Sequence, residues 1–349
     1  MFTKISCLIC FCVFSLNVYA HNAYCFARLP IVTALSGLRK EANTIFTRVL
    51  ITSWQQAKSS NTKLSYERYI RDYSNGRYVS EATSKKREIE QKEKDEAARR
   101  KAEQESQRQT PAQKAAAEIA ANMVRIPGGT FTMGCTSEQG GDCYDDEKTI
   151  HMVTLGNFSM SKYEVTQEQW RAVMGSDPPE LYNKGCDRCP VENVSWDDIQ
   201  SFISKLNGLT GMNCRLPTEA EWEYGARGGQ DFKYAGSNNI DEVAWYGGNY
   251  KSQKHGSYGT TKPVGLKKAN GYGLYDMTGN VREWCSDWYG SYSASSQTNQ
   301  LGATTGSYRV NRGGSCFNLA QDCRVSYRRS GSPGYRLNNI GFRLAVSQL

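Results

Sequence analysis

Between Leu38 and Ala82 apolar residues recur at helical spacing, among them Trp54, Ala57, Leu64, Tyr66, Tyr69 and Ile70, and Asn75-Gly76 interrupts the pattern. This periodicity predicts two or three short helices within a small helical region over residues 21–83. From Glu81 to Gln109 the chain is almost wholly Lys, Arg, Glu, Gln and Ala. Such a stretch supports i to i+4 ion pairs but offers no a/d seam, so it predicts a single solvated helix and not a coiled coil. Pro111 and an Ala-rich run to Ala121 close this segment, which is expected to be a charged helical spacer over 84–121.

From Met123 onwards helical periodicity gives way to short strands and turns. Met123 to Gly134 reads as two strands about Pro127-Gly128-Gly129. Three short helices follow, marked by the capping pairs Thr166 with Gln169 and Thr218 with Glu221, and by Ser195 ahead of Asp197 and Asp198. Trp170, Trp196 and Trp222 sit close to these helix starts and are expected to anchor them to the core. Residues 122–349 therefore read as one loop-rich α+β domain whose backbone is fixed by turns and buried polar contacts, with function carried on its loops.

Composition narrows the functional classes. The formal net charge is +8, but the basic residues are interleaved with Glu and form no basic and aromatic stripe, so no nucleic-acid partner is expected. Lys4, the apolar run Ile5 to Leu16 and Val18-Tyr19-Ala20 predict a signal peptide over 1–20, cleaved before His21. The protein is then exported, to a periplasm, cell surface or medium, where cysteines can oxidise. Of twelve cysteines, three leave with the leader and nine remain. Cys135 with Cys143, and Cys186 with Cys189, are spaced for local disulfides; a zinc site at the second pair competes but lacks further ligands.

Several segments point to one family: Ile126-Pro127-Gly128-Gly129, Tyr163-Glu164-Val165-Thr166, Pro190 to Trp196, Arg215 to Tyr224, Gly273 to Trp284, Arg312-Gly313-Gly314-Ser315 and Gly341-Phe342-Arg343. In this order they resemble the formylglycine-generating enzyme, or sulfatase-modifying factor, family. The resemblance implies an α+β, C-type-lectin-like fold with little regular secondary structure. It also implies a structural Ca²⁺ held by Asp276, by carbonyls at Gly279 and Val281, and by Glu283, hard oxygen donors of the kind this ion takes. The family's enzymes oxidise a substrate cysteine with O₂ and a copper ion held by two cysteines, three and eight residues after the Ser of Gly-Gly-Ser. Counted from Ser315, those positions are Asn318 and Cys323. One thiol of the soft pair that Cu(I) requires is missing.

Two functional readings follow. In the first, the stretch from Cys316 to Asn339 is a ligand-binding surface presented by a rigid scaffold, with Phe317, Asn318, Leu319, Asp322, Tyr327, Arg329, Tyr335 and Leu337 as candidate contacts to a protein or surface ligand. Its filler residues are all reachable by randomising the adenines of an asparagine codon. The stretch thus resembles the variable region of a retroelement-diversified protein, set against an ordinary non-catalytic loop. In the second reading, Cys323, with Ser315, is the surviving catalytic thiol of a copper oxidase. A disulfide from Cys323 to Cys316, Cys285 or Cys214 is expected in the first. The N-terminal helices offer attachment to a cell-envelope partner.

Overall fold

The computed structural model describes residues 29–248 and 259–347; the expected leader over 1–20, with Cys25 and His255, lies outside them. The chain divides into two units, Met1–Glu105 and Ser106–Leu349. Among the described residues no helix is long and apolar enough to cross a membrane.

In the first unit a single 32-residue helix, Leu29–Ser60, replaces the short helices expected there. No breaker stops it before Asn61, whose φ of 44° turns the chain. Thr62 then caps Lys63–Asp72 through a reciprocal box with Ser65. Trp54 organises the small core: its ring lies 5.3 Å from that of Tyr69 and stacks on that of Tyr78 at 5.4 Å. Ala57, Tyr66 and Ala82 complete it, whereas Leu64 points to solvent despite its helical spacing. The charged helix runs Val79–Arg108, its first turns packed by Val79 and Ala82. Farther along its charges pair on the surface, as in Lys85 with Glu88 and Lys86 with Glu90, contacts worth about 0.3–0.5 kcal/mol each.

Pro111–Ala121 is a separate helix, started by a capping box between Thr110 and Gln113. Although the sequence groups it with the spacer, its small side chains Ala115 and Ala116, with Ile119, are buried in the core of the second unit. They pack in one cluster with Val165, Ile199 and Leu206 and with an aromatic trio. In that trio Trp170 stacks on Phe202 at 5.3 Å, and Phe342 meets both edge-on. A second cluster gathers Ile126, Met133, Phe158, Met160, Trp222, Leu274 and Val310.

Three small sheets join these cores. The first orders Met123–Ile126, Phe158–Ser161, Ala345–Ser347 and Cys214–Arg215, and the second joins Gly129–Met133, His151–Leu155 and Gln297–Thr298. The third carries the last loop. Its long strand, Arg282–Trp288, pairs in parallel with Ile340–Gly341 and antiparallel with Arg309–Arg312, which in turn pairs with Arg328–Gly331. The expected disulfides Cys135–Cys143 and Cys186–Cys189 are both formed, and with Cys186 and Cys189 joined no zinc thiolate pair remains.

Arginine–glutamate pairs take the place of a purely apolar interior. Arg312 with Glu223, Arg328 with Glu219, Arg324 with Glu147 and Arg343 with Glu283 are all buried. Each is tied further to backbone carbonyls, so loops far apart in sequence are held in one arrangement.

Candidate functional site

Both excursions of the last loop begin and end on the third sheet: residues 313–327 leave Arg312 and return at Arg328, and residues 332–339 lead on to Ile340. Gly313 and Gly314 open the first with φ of 92° and 69°, a left-handed path that L side chains resist. At Gly314 there is no room either, since a Cβ would lie 2.5 Å from both the Asp322 carbonyl oxygen and Cys323 Sγ.

The polar heart of the loop is a short relay. The Ser315 hydroxyl donates to Asn318 Oδ1 at 2.6 Å and accepts from Asn339 Nδ2 at 3.1 Å, while Asn318 Nδ2 reaches Asp322 Oδ2 at 3.4 Å. Asn318, where the family places its first thiol, is thus an amide spent on holding the loop's shape. Cys323 is fully buried against Tyr234 and Val243, and burial, with Asp322 nearby, pushes its thiol far above the usual range. Cys316 is equally buried, 3.8 Å from the Gly259 carbonyl, and is pushed up to about 12, chiefly by burial. The disulfide expected for Cys323 is not formed: Cys214, Cys285, Cys316 and Cys323 are all free and buried. Desolvation keeps such sulfurs as neutral thiols, which neither attack nor ligate readily.

On the outer side the candidate contacts divide. Leu319, Arg329 and Tyr335 are exposed, and Phe317 and Asp322 half-buried. Tyr327, expected at the surface, is buried with its ring 5.7 Å from that of Tyr144. Leu337 is half-buried and packs on the first core cluster. Two neighbours escaped the sequence reading. Tyr144, which directly follows the disulfide-closed loop, donates its hydroxyl to Asp322 Oδ1 at 3.0 Å, and Arg282 opens the sheet's long strand. A cavity of about 640 Å³ lies between Arg125, Arg215, Thr218, Glu221 and Gln300, and none of the candidate residues lines it. The last loop presents a face.

The turn expected to hold Ca²⁺ is tight, with Asp276, Gly279 and Asn280 at φ of 56°, 82° and 60°. Asp276 Oδ2 accepts from the Gly265 amide at 2.7 Å, whereas its buried Oδ1 has no partner among the described residues. Burial and the Glu283 charge push the Asp276 carboxyl up to about 6. Glu164 is raised for the same reasons, burial first and then Asp276 and Glu283, with Arg343 the cation that opposes them. Three buried carboxylates stand against one guanidinium, but among the described residues no group of three such side chains is placed to hold an ion together, and both Glu164 oxygens accept hydrogen bonds, from Asn280 Nδ2 and the Val281 amide. The bare oxygen is Asp276's, because both Glu283 oxygens already accept, one from Arg343 and the other from Arg343 and Trp222.

The family model described as sulfatase-modifying factor enzyme 1-like domain matches residues 107–348. Chaperone protein LppX of Paenibacillus barcinonensis is 34% identical over 257 residues, 60% of this chain and 83% of its own. A formylglycine-generating enzyme of Thermomonospora curvata is 31% identical, covering 66% of this chain and 95% of that protein. The chain spans only 37% of the length of serine/threonine-protein kinase pkn1 of Chlamydia caviae, at 34% identity. Among solved structures, Treponema denticola variable protein 1 superposes with a TM-score of 0.58 at 33% identity, over 64% of this chain and 94% of that one. With helices and sheets mixed as described, the fold is the expected α+β, C-type-lectin-like one.

Proposed function

Because the chain belongs to the family of sulfatase-modifying factor enzyme 1-like domains, we propose that it uses this scaffold as a non-catalytic binding module of an exported protein, presenting residues 316–339 to a protein or surface ligand. One observation carries the reading: Asn318 stands at the first metal-thiol position and is hydrogen-bonded into the loop, while Cys323 lies sealed beneath Gly314. A copper oxidase needs two accessible thiolates and a path for its substrate. The exposed Leu319, Arg329 and Tyr335 supply aromatic, aliphatic and cationic groups on a backbone already held by turns, which lowers the ordering cost of association. Two disulfides accord with an oxidising compartment.

The likeness to a protein called variable supports a further part of this reading, that the same stretch is diversified. A near-copy of its coding segment beside a reverse transcriptase gene, differing at adenines, is the expected genomic context.

The test is chemical. Purified full-length chain supplied with Cu(I), O₂ and a cysteine-containing peptide is expected neither to take up oxygen nor to oxidise the peptide. Iodoacetamide should label Cys316 and Cys323 only after denaturation. Oxygen uptake coupled to peptide oxidation, abolished by Cys323→Ser, would overturn the module in favour of the oxidase.

A further inference from the structure

Six arginines of the domain are buried, and among the described residues five of them pair with a glutamate: Arg227, Arg312, Arg324, Arg328 and Arg343. Arg282 is the exception. It is 8% exposed, its Nε has no hydrogen-bond partner among the described residues, and its Nη2 donates to Asn339 Oδ1 at 3.0 Å. A guanidinium withdrawn from water without a carboxylate is a standing cost that the fold does not itself recover.

Its surroundings say what is missing. Trp284 lies opposite Asn311, and Asn311 opposite Arg329; Arg282, two residues before Trp284, therefore shares the sheet face of Arg329. Arg282 is joined to the carboxylate of Asp322 only through a relay of neutral groups, Asn339, Ser315 and Asn318. Asp322 is already engaged by the Tyr144 hydroxyl and the Asn318 amide. Two cations on one face, with a single carboxylate already engaged by neutral groups, leave one positive charge unbalanced.

We propose that Arg282 and Arg329 form a carboxylate-binding subsite at the base of the last loop, which takes a Glu or Asp side chain of a protein ligand. The inference rests on the binding-module reading and adds to it the chemistry of the ligand. A carboxylate balances the one excess charge and matches the planar guanidinium fork, whereas a phosphate dianion would overbalance it next to Asp322. The exposed Tyr335 and Leu319 of the same loop suit a peptide chain. Arg282 lies outside residues 316–339, so the anchor for the acid belongs to the scaffold and the loop chooses what surrounds it.

The experiment uses the full chain with ¹⁵N-labelled arginine, following the Nε–Hε signals by NMR, with acetyl-Tyr-Glu-Tyr-amide, its Gln counterpart and inorganic phosphate as probes. The Glu peptide is expected to shift the Arg282 signal saturably and to bind at least tenfold more tightly than the Gln peptide. Arg329→Gln, at an exposed site that leaves folding intact, and Arg282→Gln should each remove that preference, and Arg282→Lys should keep part of it. No saturable shift, equal binding of the two peptides, tighter binding of phosphate, or an Arg329→Gln protein that still prefers Glu would each overturn the subsite. A charge-blind protein that is also inert towards O₂ loses only this inference, whereas turnover of the cysteine peptide removes the module reading beneath it.

Discussion

Gly314 shows how much of the site rests on single residues. Its φ of 69° disfavours any side chain, and a Cβ would meet the Asp322 carbonyl as well as Cys323 Sγ, each at 2.5 Å. A sulfur can rotate away; a carbonyl fixed in the loop cannot. Gly314→Ala is expected to cost about 3 kcal/mol or more in urea unfolding, and adding Cys323→Ala should restore only part of it. A loss below about 1 kcal/mol would mean that the loop is softer than its contacts imply. Asp287 makes a second prediction at this scale. Its Oδ2 accepts from the Glu219 amide, its Oδ1 has no partner among the described residues, and burial, then the Glu219 charge, lifts its carboxyl from 3.8 to about 7. A raised folded-state value means that the folded chain binds the proton more tightly than the unfolded one. Stability from this group is thus present at low pH and is lost as pH rises from about 4 to about 7. Asp287→Asn should remove that slope, gaining on the order of 4 kcal/mol relative to the parent between pH 4 and pH 8. Parallel pH curves for the two proteins would refute the assignment.

Among the elements, the capped helices of the second unit and the two strands about Pro127-Gly128-Gly129 were legible, and the pairing of the sheets was not. Thr166 with Gln169, Thr218 with Glu221 and Ser195 with Asp198 close the expected capping boxes, because a cap is a local contract between residues three apart. Strands of two to four residues carry too few side chains to show a period, so the three sheets emerge only from long-range pairing. For the same reason Tyr327 and Leu337 read as surface in an aperiodic loop, and nothing local marked Arg282 as buried without an acid. The helix Pro111–Ala121 was grouped with the spacer because alanines look alike on a solvated helix and in a tight core. One long-range tie has a measurable strength. Arg324 clamps Glu147 with two charge-assisted bonds of 2.6 and 2.7 Å and also reaches the Asp142 carbonyl, fastening the disulfide-closed loop to the last loop. Glu147→Gln leaves that guanidinium buried without its countercharge and should cost about 3–5 kcal/mol, with Cys135–Cys143 still formed. A loss within about 0.5 kcal/mol, the range of ordinary surface changes, would show that the disulfide alone holds the loop.

For the molecule as a whole, the question is what balances the charge of its interior. Every buried arginine–glutamate pair is neutral by itself, but around Arg343 the chain places Glu164, Asp276 and Glu283 out of water together. Without a further cation the domain must hold at least one proton there or carry repelling charges in a low dielectric, and either arrangement lowers its stability near neutral pH. A Ca²⁺ ion on the bare Asp276 Oδ1, completed by carbonyls of the Gly279 to Val281 turn, would remove the imbalance, and its binding energy would then be folding energy. At a hundredfold excess over its Kd the ion should add about 2.7 kcal/mol, which raises the Tm of a domain this size by roughly 5–10 °C. Melting the full chain in millimolar Ca²⁺ against EDTA tests this directly. Asp276→Ala should abolish the difference and Arg329→Gln should preserve it, since Arg329 is exposed on another strand and not part of this turn. Coincident melting curves in Ca²⁺ and EDTA would mean that protons, and not an ion, settle the charge. The scaffold would then keep the family's turn without its metal.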